Sequence, residues 1–167
     1  CEGKDFIFNL AGLKGSPKRV IESPATFSVP QVQFGANMAE AAFNSNCEWY
    51  LYTSSVGVYH PAEVFYEDDV WKTFPSKHDW YPGWAKRMGE LNVQSYMEES
   101  GSKNCSIVRP ANVYGPYDNF DPNNAMVIPS LIKRGMDGED PFMVWGDGSP
   151  IRDFIHSKDV ARGMLMV

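Results

Sequence analysis

Trp49-Tyr50-Leu51-Tyr52-Thr53 runs straight into Ser54-Ser55. A short run of large, β-favouring residues stopped by two small hydroxyls reads as a buried strand ended by a polar turn. Working outward, Phe6-Ile7-Phe8-Asn9-Leu10-Ala11, closed by Gly12, has the same character. So does Cys105-Ser106-Ile107-Val108-Arg109, closed by Pro110. Between these strands, Val32, Phe34, Met38, Ala39, Ala42 and Phe43 keep helical spacing across 31–46. A second helix is expected over 82–99, with Pro82 in its first turn and Gly101 as its stop. Strands alternating with helical crossovers form parallel pairs, so the expected fold class is α/β with a doubly wound parallel sheet.

The remaining segments are less regular. Residues from Gly12 to Pro30 read as a Gly/Ser/Pro-punctuated connection, and 56–80 as a long loop carrying Glu63, Glu67, Asp68 and Asp69. Loops of that length inside a compact domain are usually functional. Beyond Pro110 the texture turns to Asn, Pro, Asp and Tyr over 111–126. A short helix over 128–134, a strand over 142–145, a turn at Gly146-Asp147-Gly148 and a strand over 151–155 are expected to follow. Ser157 would cap a last helix with Asp159 in its first turn. The expected division is 1–110 for the sheet domain and 111–167 for part of a smaller lobe interleaved with it.

Composition excludes several classes. Of 167 residues, 43% are hydrophobic and 14% aromatic, which is too apolar for disorder. Fifteen basic against 21 acidic residues leave a net charge of −6, which argues against nucleic-acid and membrane-surface partners. No apolar run reaches the roughly 18 residues of a membrane span. Cys1, Cys47 and Cys105 are far apart, and the opening residues are not a signal peptide, so reduced thiols and a cytoplasmic setting are expected. His60, His78 and His156 are equally scattered, and no metal site is expected. An apolar strand starts almost at once, and Ala161–Val167 carries no stop signal, so the chain reads as a fragment of a longer one.

Ligands of open parallel sheets bind beyond the carboxyl ends of the strands. Leu10-Ala11-Gly12, Thr53-Ser54-Ser55 and Pro110-Ala111-Asn112 fall there. Small residues let a flat cofactor approach the backbone, and hydroxyls can hold a reacting oxygen; equally, such residues simply make turns. Tyr81 and Lys86 supply a phenol and an ammonium, a recognisable base device, or else a surface pair.

Taken in order, these segments resemble a known family. Asn9-Leu10-Ala11-Gly12 precedes Thr53-Ser54-Ser55-Val56-Gly57-Val58-Tyr59 and Ala85-Lys86. Arg109-Pro110-Ala111-Asn112-Val113-Tyr114-Gly115-Pro116 and Arg152-Asp153-Phe154-Ile155-His156 follow. The series resembles extended short-chain dehydrogenases/reductases of the nucleotide-sugar epimerase/dehydratase branch. The stretch from Arg109 to Pro129 is most similar to GDP-L-fucose synthases. The resemblance implies a Rossmann-type sheet lacking its N-terminal strands, NAD or NADP as cofactor, and a nucleotide-sugar substrate. It implies a homodimer through a four-helix bundle of the two helices, to which Phe34, Met38, Trp84, Met88 and Leu91 could contribute. By the same resemblance Ser55 holds the sugar hydroxyl, while Lys86 contacts the nicotinamide ribose and tunes a tyrosine. Leu10, Ala11, Gly12, Asn37, Thr53 and Ser54 line the dinucleotide, with Pro110 and Ala111 beside the nicotinamide. Asn112, Arg134 and Arg152 hold the diphosphate, a task that suits the planar guanidinium fork.

Three departures qualify what is implied. The family's Gly-rich phosphate loop lies upstream of the first residue here. The family spaces Tyr and Lys by four, but position 82 is Pro, and Tyr81 precedes Lys86 by five. Five residues of helix turn the two side chains about 140° apart. A residue before proline avoids the α region, so Tyr81 is expected just off the helix, free to swing toward the ribose and take the hydroxyl proton in the family tyrosine's place, with Ser55 orienting that oxygen and Lys86 keeping the phenol acidic. Finally, the Cys and His of fucose synthases fall on Gly57 and Met126, which carry no proton, and Val56-Gly57 replaces the dehydratases' Asp-Glu. The expected activity is therefore nucleotide-sugar epimerase/reductase chemistry by hydride transfer. The alternative is a dinucleotide-binding regulator or structural homologue without turnover.

Overall fold

The computed structural model describes residues 1–101, 104–121 and 123–167; Pro122, inside the Asn- and Asp-rich stretch, lies outside them. Strand β1 (Phe6–Asn9) is followed by helices α1 (Pro17–Glu22) and α2 (Pro24–Asn44), then by β2 (Trp49–Thr53), helix α3 (Trp80–Ser100) and β3 (Cys105–Val108). These strands form a parallel sheet in the order β1-β2-β3, with Ile7 opposite Tyr50 and Tyr50 opposite Cys105. Ile7, Tyr50 and Tyr52 meet Ala39 and Ala42 of α2 and Val93 of α3 in one buried cluster. Both crossover helices thus cover the same face of the sheet, as right-handed parallel connections require. On the opposite face of β1, Phe6 and Phe8 are exposed.

A second, smaller parallel pair joins β4 (Asn112–Tyr114) to β5 (Phe154–His156), with α4 (Val127–Met136) between them in sequence and α5 (Ser157–Met164) after them. Among the described residues no helix is long and apolar enough to cross a membrane, and no three ligating side chains cluster as a metal site would need.

Several expectations are corrected. The connection from Gly12 to Pro30 is largely helical, because Pro17 and Pro24 each sit at a first helical position, where no amide hydrogen is needed. Pro30 lies inside α2, which continues through it with Phe27 and Gln31 buried on either side. No strand forms over 142–145, where Trp145 is 93% exposed and no neighbouring strand supplies hydrogen bonds among the described residues. The strand expected over 151–155 is confined to β5, and its partner β4 lies in the stretch expected to be irregular. His156, not Ser157, caps α5: its Nδ1 accepts from the Lys158 amide at 3.2 Å.

Helix α3 begins at Trp80, two residues before its proline, and the Gly83 amide donates to the Asp79 carbonyl at 2.7 Å. Pro82 is tolerated because first-turn amides have no partner within the helix. Tyr81, expected off the helix, is therefore its second residue. Where α2 crosses α3, a Cβ on Gly35 would lie 3.2 Å from the Gly89 Cα, and a Cβ on Gly89 would overlap the buried Tyr52 hydroxyl. Glycines here set the height of both helices above the sheet. Gly89→Ala should destabilise the fold by about 2–3 kcal/mol through overpacking, read as a lower urea midpoint; an unchanged midpoint would contradict this crossing.

Candidate active site at the strand ends

The end of β1 is shaped by Asn9. Its Nδ2 donates to the Tyr50 hydroxyl at 2.9 Å, and its Oδ1 accepts from the Ala11 amide at 3.2 Å, turning the chain away from the sheet. The Leu13 amide then donates to Gln31 Oε1 at 3.2 Å. That bond fixes which way the Gln31 amide faces, and its Nε2 is buried without a partner among the described residues. Gly12 lies over it: a Cβ there would be 3.3 Å from Gln31 Oε1 and 3.8 Å from Lys86 Nζ.

Lys86 comes up from α3 beneath these strand ends. Its Nζ donates to the Thr53 carbonyl at 2.6 Å and lies 5.3 Å from the centre of the Tyr52 ring. Burial pushes its amine down to about 8, with the Glu90 charge acting in the opposite sense. Thr53 Oγ1 is likewise buried and, among the described residues, unpartnered. Ser55 is half-buried, and its Oγ accepts from the Gly57 amide at 3.1 Å, capping the 3₁₀ turn Val56–Val58. The hydroxyl proton of Ser55 stays available to a substrate oxygen.

A charged network lies immediately below. Glu90, fully buried and one turn beyond Lys86, accepts from Ser54 Oγ and forms a two-pronged pair with Arg109, Nε to Oε1 at 2.9 Å and Nη2 to Oε2 at 2.7 Å. Arg109 also donates to the Tyr59 hydroxyl at 3.1 Å and to the Glu67 carbonyl at 3.0 Å. Backbone bonds from Ser54 to Val108 and from Val56 to Pro110 tie the ends of β2 and β3 together.

The expected site residues divide into two groups. Leu10, Ala11, Gly12, Thr53, Ser54, Ser55, Lys86, Pro110 and Ala111 all lie at or beside the strand ends. Tyr81 does not converge with Lys86: it is 55% exposed on the first turn of α3, where the helix holds it about 140° away. Asn37 is exposed on α2, away from the buried side that carries Gln31. Asn112 is engaged in the second sheet, its Nδ2 donating to the Asp153 carbonyl at 2.9 Å. Arg134 is held by both Glu139 oxygens and the Met143 carbonyl, under the Phe142 ring. Arg152 is exposed and, among the described residues, donates only to the carbonyl of its neighbour Ile151, at 2.8 Å.

A family model described as "NAD dependent epimerase/dehydratase family" matches residues 1–167. The chain belongs to that family. It is 38% identical over 105 residues to a dTDP-4-dehydro-6-deoxy-D-allose reductase of Streptomyces bikiniensis, an overlap of 63% of this chain and 32% of the relative. It is 31% identical over 152 residues to a GDP-L-fucose synthase of Sinorhizobium fredii, covering 86% of this chain and 48% of that one. Among solved structures, a UDP-N-acetylglucosamine 4-epimerase from Methanobrevibacter ruminantium M1 in complex with UDP-N-acetylmuramic acid superposes with a TM-score of 0.83 at 29% identity. That match covers 99% of this chain and 51% of the other. The chain thus spans about a third to a half of these relatives.

Gln31 and Glu90 were not singled out from the sequence, though a signal exists for both. Gln31 shares the buried side of α2 with Gly35, Ala39 and Ala42, and Glu90 shares that of α3 with Gly83 and Val93. A polar residue in a buried helical stripe needs a partner, and that need marks it. In lysine-selective carbon-13 NMR, one side chain, lost in Lys86→Met, should titrate near pH 8. A Lys86 midpoint near the ordinary 10.5 would contradict its burial.

Proposed function

We propose that this chain supplies the nicotinamide side of a nucleotide-sugar oxidoreductase or epimerase that works by reversible hydride transfer with NAD or NADP. The observation that carries this reading is the cradle at Gly12. Gly12, with no Cβ, brings its backbone against the orphaned Gln31 amide and the Lys86 amine, and that amine is bonded to the Thr53 carbonyl. Buried donors left without partners fit a ribose and carboxamide, which are rich in acceptors. The bound nicotinamide supplies the hydride acceptor and donor.

The residues of the chain do the rest. Ser55 donates to the reacting sugar oxygen and fixes its position. Lys86 takes the hydroxyl proton: the O–H bond breaks, an N–H bond forms on the neutral amine, and the same proton returns in the reverse step. An amine near pH 8 is suited to both directions at working pH. Tyr81 is not required in this scheme, since its ring is exposed and turned away from Lys86. Neither Gly57 nor Met126 can move a proton, which favours a reductase or a 4-epimerase over the fucose synthase reaction. On the substrate side, Arg152 is free to take a diphosphate, whereas Arg134 would first have to exchange Glu139. Met88 and Leu91, exposed on α3, and Val32, on α2, offer the apolar surface for a homodimer.

The test is nicotinamide absorbance followed with a panel of UDP-, GDP- and dTDP-sugars, on the protein that carries this chain. One sugar class should change it, product stereochemistry separating reductase from epimerase. Lys86→Ala should lower turnover on the order of 100-fold or more, and Tyr81→Phe should leave it close to the parent. Cofactor binding with no change on any sugar would support the non-catalytic alternative and overturn the proposal.

A further inference from the structure

We infer that Glu90, clamped by Arg109, is the positioning residue that sets the protonation of Lys86. The inference rests on the reading of Lys86 as the site's base. Glu90 lies four residues beyond Lys86, one turn along the same side of α3, and is fully buried. A carboxylate kept out of water needs compensating donors, and it has three: Ser54 Oγ just after β2 and the Arg109 Nε and Nη2 just after β3. These bonds prevent it from turning out to solvent. Its charge therefore stays at one fixed place below the Lys86 amine.

Two effects then compete at Lys86. Burial favours the neutral amine, and the Glu90 charge favours the ammonium. Around this pair, Arg87 on α3 turns to the other side, donating to the Val58 and Thr73 carbonyls. Tyr52 on β2 presents its ring to Lys86, and burial pushes its phenol up and keeps it neutral. From α2 the facing group is the Gln31 amide, which does not titrate, and from the β1 turn it is Gly12. Glu90 is therefore the charge set against burial at Lys86, and Arg109 acts on it by pairing with that carboxylate. Without the carboxylate the amine would hold its proton for a smaller share of the time at working pH and would return one to an oxyanion less readily.

The experiment is the Lys86 titration by lysine-selective NMR on the intact chain without cofactor, so the result is independent of whether any sugar is turned over. Glu90→Gln should move the Lys86 midpoint about one pH unit lower, and Arg109→Met should move it higher. A purely structural role predicts one direction for both, because loosening the packing lets water in and raises Lys86 toward the ordinary 10.5. A rise or no change in Glu90→Gln overturns the inference. If Glu90→Gln does not fold, Glu90→Asp decides. It keeps the charge on a shorter arm, so the midpoint should stay near that of the parent, and a rise toward 10.5 overturns the inference.

Discussion

The Glu90–Arg109 ion pair is the interaction on which the geometry of the strand ends depends. A buried ion pair adds little net stability over a well-packed apolar pair, because desolvation offsets the attraction, but removing one partner strands the other at a cost of about 3–5 kcal/mol. Here that penalty falls on four segments at once. Glu90 belongs to α3, Arg109 follows β3, Ser54 follows β2, and Tyr59 and Glu67 belong to the loop between β2 and α3. Any displacement of one segment breaks bonds to the others. Arg87 reinforces the same loop, its guanidinium gathering the Val58 and Thr73 carbonyls beneath the Trp84 ring.

Packing beneath the network determines where Lys86 arrives. Glycines at the α2–α3 crossing let the helices come down onto the Tyr52 hydroxyl, which donates to the Lys86 carbonyl at 3.4 Å. Gly83 does the same nearly two turns earlier, where a Cβ would lie 2.5 Å from the Gly57 carbonyl and 2.8 Å from Pro75. The helix is thereby seated against both the sheet and the 3₁₀ turn that carries Ser55. A long, flexible lysine on a helix held this firmly has few places to put its amine other than the Thr53 carbonyl. Sequence thus leads to function through close backbone approach, then a fixed helix height, then a buried amine.

Much of this was legible from local pattern. Trp49–Thr53 announces a buried strand, and Leu10–Gly12, Ser55 and Lys86 fall at strand ends because parallel sheets place their ligands there. What local pattern missed depends on distant partners. Phe142–Trp145 has the composition of a strand, but a strand exists only with a neighbour to bond, and none is present among the described residues. β4 and β5 are three residues each, too short for any periodicity, and owe their existence to each other. The prolines at 17 and 24 read as breakers when they are starters, and the one at 82 is harmless in a first turn for the same reason. Glu90 and Gln31 needed the burial of their helix faces to be known before their charge or polarity became conspicuous.

Binding of a nicotinamide at these strand ends is tested most directly by NMR of the backbone amides during titration with reduced nicotinamide mononucleotide. Saturable shifts confined to Ala11–Leu13 and Ser54–Val56, and absent in Lys86→Ala, are the predicted result. No shift at those amides, or the same shifts in Lys86→Ala as in the parent, would contradict it.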